Sequence, residues 1–248
     1  TISDCVYEGI IIYDADDTVP INPEIRDNVI NNTRYPIQIE ADQDGLTGTR
    51  TITNNTGSGN TYNGIYILGM FVGTTSLSAD NGFYWLFTSG TIIISSGATL
   101  TLDPGAVVKK GTDSSDGNNL RVYGTLVAIG TPSAPITFTS TSDGEGRTPD
   151  AGDWNAVDIY SGGSATFDYV EMRYGGIEYL EGMIHAHVGS SLSVTNSVLE
   201  HSRYNGIEAN NESPVIVGNT ISDCVYEGII IDDADDTVPI NPEIRDNV

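Results

Sequence analysis

The side chains best suited to chemistry are aspartates. Asp14, Asp16 and Asp17 crowd the segment YDADDT, and the cluster returns as Asp232, Asp233, Asp235 and Asp236 near the other end of the chain. Carboxylates at this spacing on a loop converge on Ca²⁺, which takes six to eight oxygen ligands, backbone carbonyls among them. The candidate ligands are therefore Asp14, Asp16, Asp17, Asp233, Asp235 and Asp236, and Asp42 and Asp44 in ADQDG are placed one period later to join them. Neither an EF-hand nor a nonapeptide calcium pattern is present, so the competing reading is a solvated acidic loop.

His185 and His187 in MIHAHVG share one face of a strand, a spacing that permits metal binding. No third ligand stands beside them in sequence, which favours packing or surface exposure. For acid–base work the best carboxylate pair is Asp153 and Asp158 around Trp154, although Asp next to Gly and Asn is ordinarily turn chemistry. His201, Arg203 and Tyr204 form one more polar group. No nucleophile motif and no phosphate-cradling glycine loop occurs, and the expectation is a chain that is not an enzyme. Asn31, Asn54 and Asn211 head N-x-[ST] sequons, which Asn-rich turns generate by chance. The Thr-x-Thr runs at Thr49 to Thr53 and Thr137 to Thr141 are not repeated from strand to strand as a flat threonine surface requires.

These side chains have to be positioned by short strands. Apolar residues alternate in brief pieces such as Leu100 and Leu102, Ile136 and Phe138, Val157 and Ile159, and Leu192 and Val194, each closed by Gly, Asn, Asp or Ser. Period-two patterning means strands with one buried face, and no segment has the 3.6-residue period of an amphipathic helix. A shared phrase links the strands: VIVGNTISDCVYEGIII, SVTNSVLEHSRYNGIEA and TITNNTGSGNTYNGIYI each carry an apolar pair, an Asn and a Gly-Ile step. With Asn28, Asn55, Asp168, Asn196, Asn219 and Asn247 taken as equivalent, the spacings are 27, 28, 23 and 28 residues, the length of one coil of a β-solenoid. Each coil cannot bury its apolar face alone and does so by stacking on the next. The fold class expected is all-β, a right-handed single-stranded parallel β-helix, because parallel crossovers are right-handed. Asn at the corner forms a hydrogen-bonded ladder between coils, and the Gly before Ile supplies a bend that a side chain would block.

At a longer scale, Thr1 to Val29 recurs as Thr220 to Val248 with one difference, Tyr13 against Asp232. An offset of 219 residues between near-identical copies reads as one position in neighbouring units of a tandem array. The phrase NTISDCVYEGIII resembles the generic repeat of the pectin-lyase-like right-handed parallel β-helix superfamily. GTIIISSGATLTLDPGAVVKKG, LRVYGTLVAIGTPSAPITFTS and GDWNAVDI are similar to the opening coils of secreted bacterial and archaeal surface β-helix proteins. That resemblance implies Ca²⁺ with an arginine base in the lyases, or several Asp on one face in the hydrolases. Arg26, Arg173 and Arg203 stand singly, however, and neither enzyme motif is matched residue by residue. The opening-coil likeness divides the chain into 1–68, the C-terminal coils of one unit, 69–90, a junction or cap, and 91–248, the head and middle of the next. Phe71, Phe83, Tyr84, Trp85 and Phe87 in the junction are expected to plug a coil end, or else to form a carbohydrate-stacking platform.

Composition narrows the partners. With 34 Asp and Glu against 10 Lys and Arg, the net charge is −24, and Lys occurs only at Lys109 and Lys110, so nucleic acid is repelled. An acidic surface poor in lysine suits salt or divalent cations at an extracellular or cell-surface location. No apolar run reaches the length of a membrane span, and Thr1 is not followed by a signal-like segment. Cys5 and Cys224 occupy the same repeat position and are expected as buried free thiols. The function expected is a structural segment of a filament, stalk or surface layer. Its partners are neighbouring units and lateral copies, with Ca²⁺ as a possible cofactor. A carbohydrate-active β-helix acting on or adhering to a polysaccharide is the alternative.

Overall fold

A computed structural model describes residues 1–14, 23–41, 45–46, 51–79, 82–87, 90–111, 120–144, 146–176, 182–210, 213–233 and 239–248. Wherever the alternating pattern runs there is a strand, and every regular element among the described residues is one. Three long sheets, all parallel, take nearly all of them. The nine-stranded sheet runs from Glu8–Asp14 through Tyr35–Ala41, Gly64–Leu68, Tyr84–Phe87, Val107–Lys110, Ile136–Ser140, Val170–Arg173 and Val198–Glu200 to Thr220–Ser222. One seven-stranded sheet begins at Met70–Phe71 and ends at Ile229–Asp232; the other begins at Thr74–Leu77 and ends at Glu243–Arg245. From Gly64 onward the chain visits the three sheets in fixed rotation, so each strand lies on the one laid down a circuit earlier.

This stacking turns the period-two pattern into columns. Leu100, Leu126, Ala165 and Leu192 are in register on one sheet, and Trp85, Val108, Phe138, Met172 and Leu199 on another. All are buried in one continuous apolar core. Removing each large side chain from water contributes about 1.5–3 kcal/mol, so the drive to add a circuit comes mainly from these columns.

The corner ladder is present, with a correction to its register. Asn55 Oδ1 accepts from Asn28 Nδ2 and Asn28 N at 3.1 and 3.2 Å, and Asn247 Oδ1 accepts from Asn219 Nδ2 and Asn219 N, both at 3.0 Å. Asn196 is not on it. Asn196 takes the left-handed backbone position (φ 49°), shared with Asp27, Tyr169, Gly218 and Asp246, and Ser197 fills the ladder position of its circuit: its N donates to Asn219 Oδ1 at 2.9 Å and its Oγ accepts from Val170 N at 3.0 Å. Asn suits both positions, tolerating positive φ as well as bonding the backbone, so the repeat phrase alone aligns it one residue early. Asp168 also lies off the ladder, accepting from Thr195 Oγ1 and Asn196 Nδ2, both at 2.8 Å. Because Ser197 serves with a hydroxyl, Asn219→Ser should be tolerated. It keeps the backbone bond from its N to Asn247 Oδ1, forfeits the two Nδ2 bonds to Asn247 Oδ1 and Val194 O, and lowers stability by about 1–2 kcal/mol, read as a fall in the urea midpoint.

The Gly-Ile glycines work by proximity rather than by bending. None of Gly9, Gly64, Gly206 or Gly228 has a positive φ. A Cβ on Gly64 would sit 2.3 Å from the Tyr84 ring, and one on Gly206 would sit 2.6 Å from the Gly228 carbonyl. A side chain there would push neighbouring circuits apart.

The two 29-residue copies have the same local structure. Ile2–Ser3, Glu8–Asp14 and Glu24–Arg26 answer to Thr220–Ser222, Ile229–Asp232 and Glu243–Arg245, with matching left-handed residues at Asp4 and Asp223 and at Asp27 and Asp246. They stand on different sheets, however. Glu8–Asp14 belongs to the nine-stranded sheet, whereas its copy Ile229–Asp232 ends a seven-stranded one. Between them the nine strands of the first sheet make eight steps and the chain then moves on one sheet.

Within 69–90, Met70–Phe71, Thr74–Leu77 and Tyr84–Phe87 are strands paired with the circuit that follows. Phe71, Trp85 and Phe87 are buried in the core, so these rings face inward and offer no platform to a sugar. Cys5 and Cys224 are free, as expected, but only half-buried. Each thiol points to a carbonyl two residues back, Ser3 O and Ser222 O.

Candidate functional site

A polar column runs across one seven-stranded sheet at the level of Asp158. Val157 and Ile159 face the core, and strand alternation sends Asp158 to the opposite side; Ile184 and Ala186 do the same for His185. Parallel register then aligns Arg121, Asp158, His185 and Glu208 on successive circuits. Although this face points away from the apolar core, Asp158 is 1% exposed and His185 5%. His187 follows the strand Gly182–Ala186 and is tied to the neighbouring strand Val157–Ile159 by a bond from its N to Ile159 O at 2.9 Å. Its ring stacks on Tyr160 (4.4 Å, 14°), which stacks in turn on Tyr123 (4.7 Å, 15°).

Asp158 Oδ1 lies 3.6 Å from His185 Nδ1 and 3.8 Å from His187 Nε2. One donor atom from each of the three residues falls within a 4.8 Å group. Neither carboxylate oxygen takes a hydrogen bond of ordinary length among the described residues. Burial pushes the Asp158 carboxyl up, but the two imidazoles facing it outweigh that and hold it below the usual carboxylate value. On the far side of His185, Asn210 Nδ2 is 2.8 Å from Nε2 and Glu208 Oε1 is 3.8 Å away. Glu208 is held in turn by Asn205 Nδ2 at 3.0 Å. A buried carboxylate between two imidazoles is a place for positive charge, whether protons on the rings or a cation shared among the three.

Lys110 is the unexpected neighbour. It stands in the inward column between Phe87 and Ser140, fully enclosed, with Nζ 3.5 Å from Ala156 O and 5.4 Å from the centre of the Trp154 ring. Burial pushes its amine down to about 7, and the charge of Asp158 opposes that shift.

The sequence-derived candidates are distributed unevenly. Asp14 closes the strand Glu8–Asp14 and Asp233 is exposed, while Asp16, Asp17, Asp235 and Asp236, with Asp42 and Asp44, lie outside the described residues. Asp153 and Asp158 have separate partners: Asp153 Oδ2 accepts from Ser140 Oγ at 2.5 Å and from Asp150 N at 3.2 Å, whereas Asp158 faces the two histidines. His201 adopts a left-handed turn, stacks on Tyr174 at 5.2 Å and pairs with Asp223 at 3.7 Å, and Tyr204 stacks on Tyr226. His185 and His187 do have a third partner. It is Asp158, 27 residues before His185, one circuit away; subtracting that spacing from His185 is the signal that locates it.

No protein-family model, no curated protein and no solved structure matches the chain, so its chemistry is read from these residues alone.

Proposed function

We propose that the chain is part of a tandem array that winds as a right-handed, single-stranded parallel β-helix of the pectin-lyase-like kind. Its role in this reading is a structural segment of an extracellular filament, stalk or surface layer. The observation carrying it is that two nearly identical segments fold alike yet sit on successive sheets. Eight circuits plus one face separate them, so a following unit would be advanced by about 40 Å along the axis and turned by a third of a revolution. Stacked backbone ladders and apolar columns supply axial stiffness, and on a chain with a net charge of −24, Ca²⁺ held by the acidic segments that include Asp14 and Asp233 would adjust lateral contacts.

Electron microscopy of a polypeptide carrying several 219-residue periods is the test. The expected result is a thin rod that lengthens by about 40 Å per period, with its features recurring every third unit. Lengths that fail to grow in proportion, or release of sugar from an acidic polysaccharide that Asp153→Asn or Asp158→Asn abolishes, would overturn the structural reading in favour of an enzymatic one.

A further inference from the structure

We propose that Asp158, His185 and His187 form a binding site for a first-row divalent transition metal ion, with Zn²⁺ the best-suited common ion. The inference is independent of the array reading, since it concerns three side chains within two adjacent circuits.

The distances decide between a hydrogen-bonded cluster and a metal site. N–H to O hydrogen bonds have heavy-atom separations of about 2.7–3.2 Å. The two contacts of Asp158 Oδ1, at 3.6 and 3.8 Å, exceed that range. Ligands around a tetrahedral Zn²⁺, at about 2.0–2.1 Å from the ion, are separated from each other by about 3.4 Å. The two sides at Asp158 come within about 0.2–0.4 Å of that value, and the third, between the imidazole nitrogens, is within 4.8 Å. The carboxylate itself is the second observation: Asp158 is 1% exposed, yet both its oxygens lack a hydrogen bond among the described residues. Buried polar atoms are nearly always satisfied, and a cation between the carboxylate and the imidazoles would satisfy this one.

The surroundings fit such a site. A ligating imidazole normally donates its other ring N–H to an acceptor that fixes its orientation. With Nδ1 facing Asp158, the other nitrogen of His185 is the one beside Asn210 and Glu208. Turning the Asn210 amide over puts its oxygen against Nε2–H and leaves Nδ1 with a lone pair for the metal. His187 is oriented by its stack on Tyr160 and brings Nε2, which takes no hydrogen bond, to the cluster. Two imidazoles and one carboxylate make a nitrogen- and oxygen-rich set suited to Zn²⁺, and poorly suited to Ca²⁺, which asks for six or more oxygens. The side chain of His187 is 30% exposed, so the fourth position faces the accessible side of the site, where water or an anionic ligand completes the shell.

The experiment uses the untagged full chain, stripped with chelator, and Zn²⁺ or Co²⁺ alone as the probe. Saturating Zn²⁺ should raise the melting temperature by roughly 5–10 °C, whereas Ca²⁺ at the same concentration should not. Co²⁺ should give the visible absorption of a tetrahedral site with nitrogen ligands. Binding should weaken as the pH is lowered, because protons compete for the imidazole nitrogens. His187→Gln, at the accessible edge, should fold normally and weaken Zn²⁺ binding by at least about 100-fold; Asp158→Asn should abolish the Co²⁺ spectrum. No Zn²⁺-dependent shift in the wild-type chain would overturn the proposal. So would a shift or spectrum that persists unchanged in a folded His187→Gln variant, which would move the metal elsewhere on this acidic protein.

Discussion

Phe138→Ala should cost about 3–5 kcal/mol and split unfolding into two steps. Phe138 is fully buried, lies in register between Val108 and Met172, and meets the Phe167 ring edge-on at 6.3 Å. Truncation leaves a ring-sized void in an interior whose neighbours are fixed by their own ladders and cannot collapse into it. In a stack where each circuit touches only its neighbours, the lost contacts fall on the two interfaces that flank this circuit, and weakening them uncouples the blocks on either side. The only two tryptophans report on both: Trp85 is two circuits before Phe138 in the same column, and Trp154 lies beyond it in sequence, before the next strand. Urea titration followed by fluorescence, with Trp85→Phe and Trp154→Phe backgrounds used to assign the signals, should show one transition in the parent and separated transitions in the variant. A loss below about 1 kcal/mol with a single transition would mean that the column does not carry the coupling between circuits.

Much of this architecture is legible in the sequence because the same physics is repeated. Alternation at Leu100 and Leu102 or Val157 and Ile159 predicts a buried face, and the 27- and 28-residue spacings predict which residues stack, as Asn28 on Asn55 and Asn219 on Asn247 confirm. What fails does so where one residue type serves two purposes. Asn196 reads as a ladder residue but occupies the left-handed turn beside it, and the Gly-Ile glycines read as bends although they are points of close approach. The passage of the repeated segment from one sheet to the next is invisible to pattern. It depends on how many faces are crossed between Thr53 and Tyr84, and local periodicity does not count them.

The polar site was half legible. The histidines stand out together, but Asp158 is in a different sequence neighbourhood and only circuit-to-circuit register joins them. Asp158 instead reads as a partner for Asp153, because sequence proximity is a poor guide to contact where the nearest neighbours in space are a period apart. The acidic candidates Asp16, Asp17, Asp235 and Asp236 lie outside the described residues, so the structure leaves that expectation where the sequence put it. Lys110 could have been placed from alternation alone: in VVKK, with Val108 inward, the residue two later must also face inward.

That lysine should make the protein more stable when it is removed, in a manner that depends on pH. The folded state holds the Lys110 amine at about 7, against about 10.4 for a free lysine. At pH values between those two the unfolded chain keeps a proton that the folded chain has given up, so unfolding takes up protons and stability rises with pH across that window. Below about pH 7 both states are protonated and the whole cost of enclosing the ammonium is present; above about pH 10.4 both are neutral and the cost is gone. Lys110→Met keeps the chain length and fills the same space between Phe87 and Ser140 without a charge. Its loss of contact with Ala156 O and the Trp154 ring is small, because these lie at 3.5 and 5.4 Å. The expected gain is about 2–4 kcal/mol at pH 7, shrinking steadily toward zero by about pH 10. Urea unfolding of the two chains side by side from pH 6 to pH 10, both stripped of metal, measures the difference directly, because every other titrating group is common to both. A gain that stays constant over this range would trace the stabilisation to packing, and a loss at pH 7 would mean that the buried ammonium and Asp158 support each other more strongly than burial penalises them.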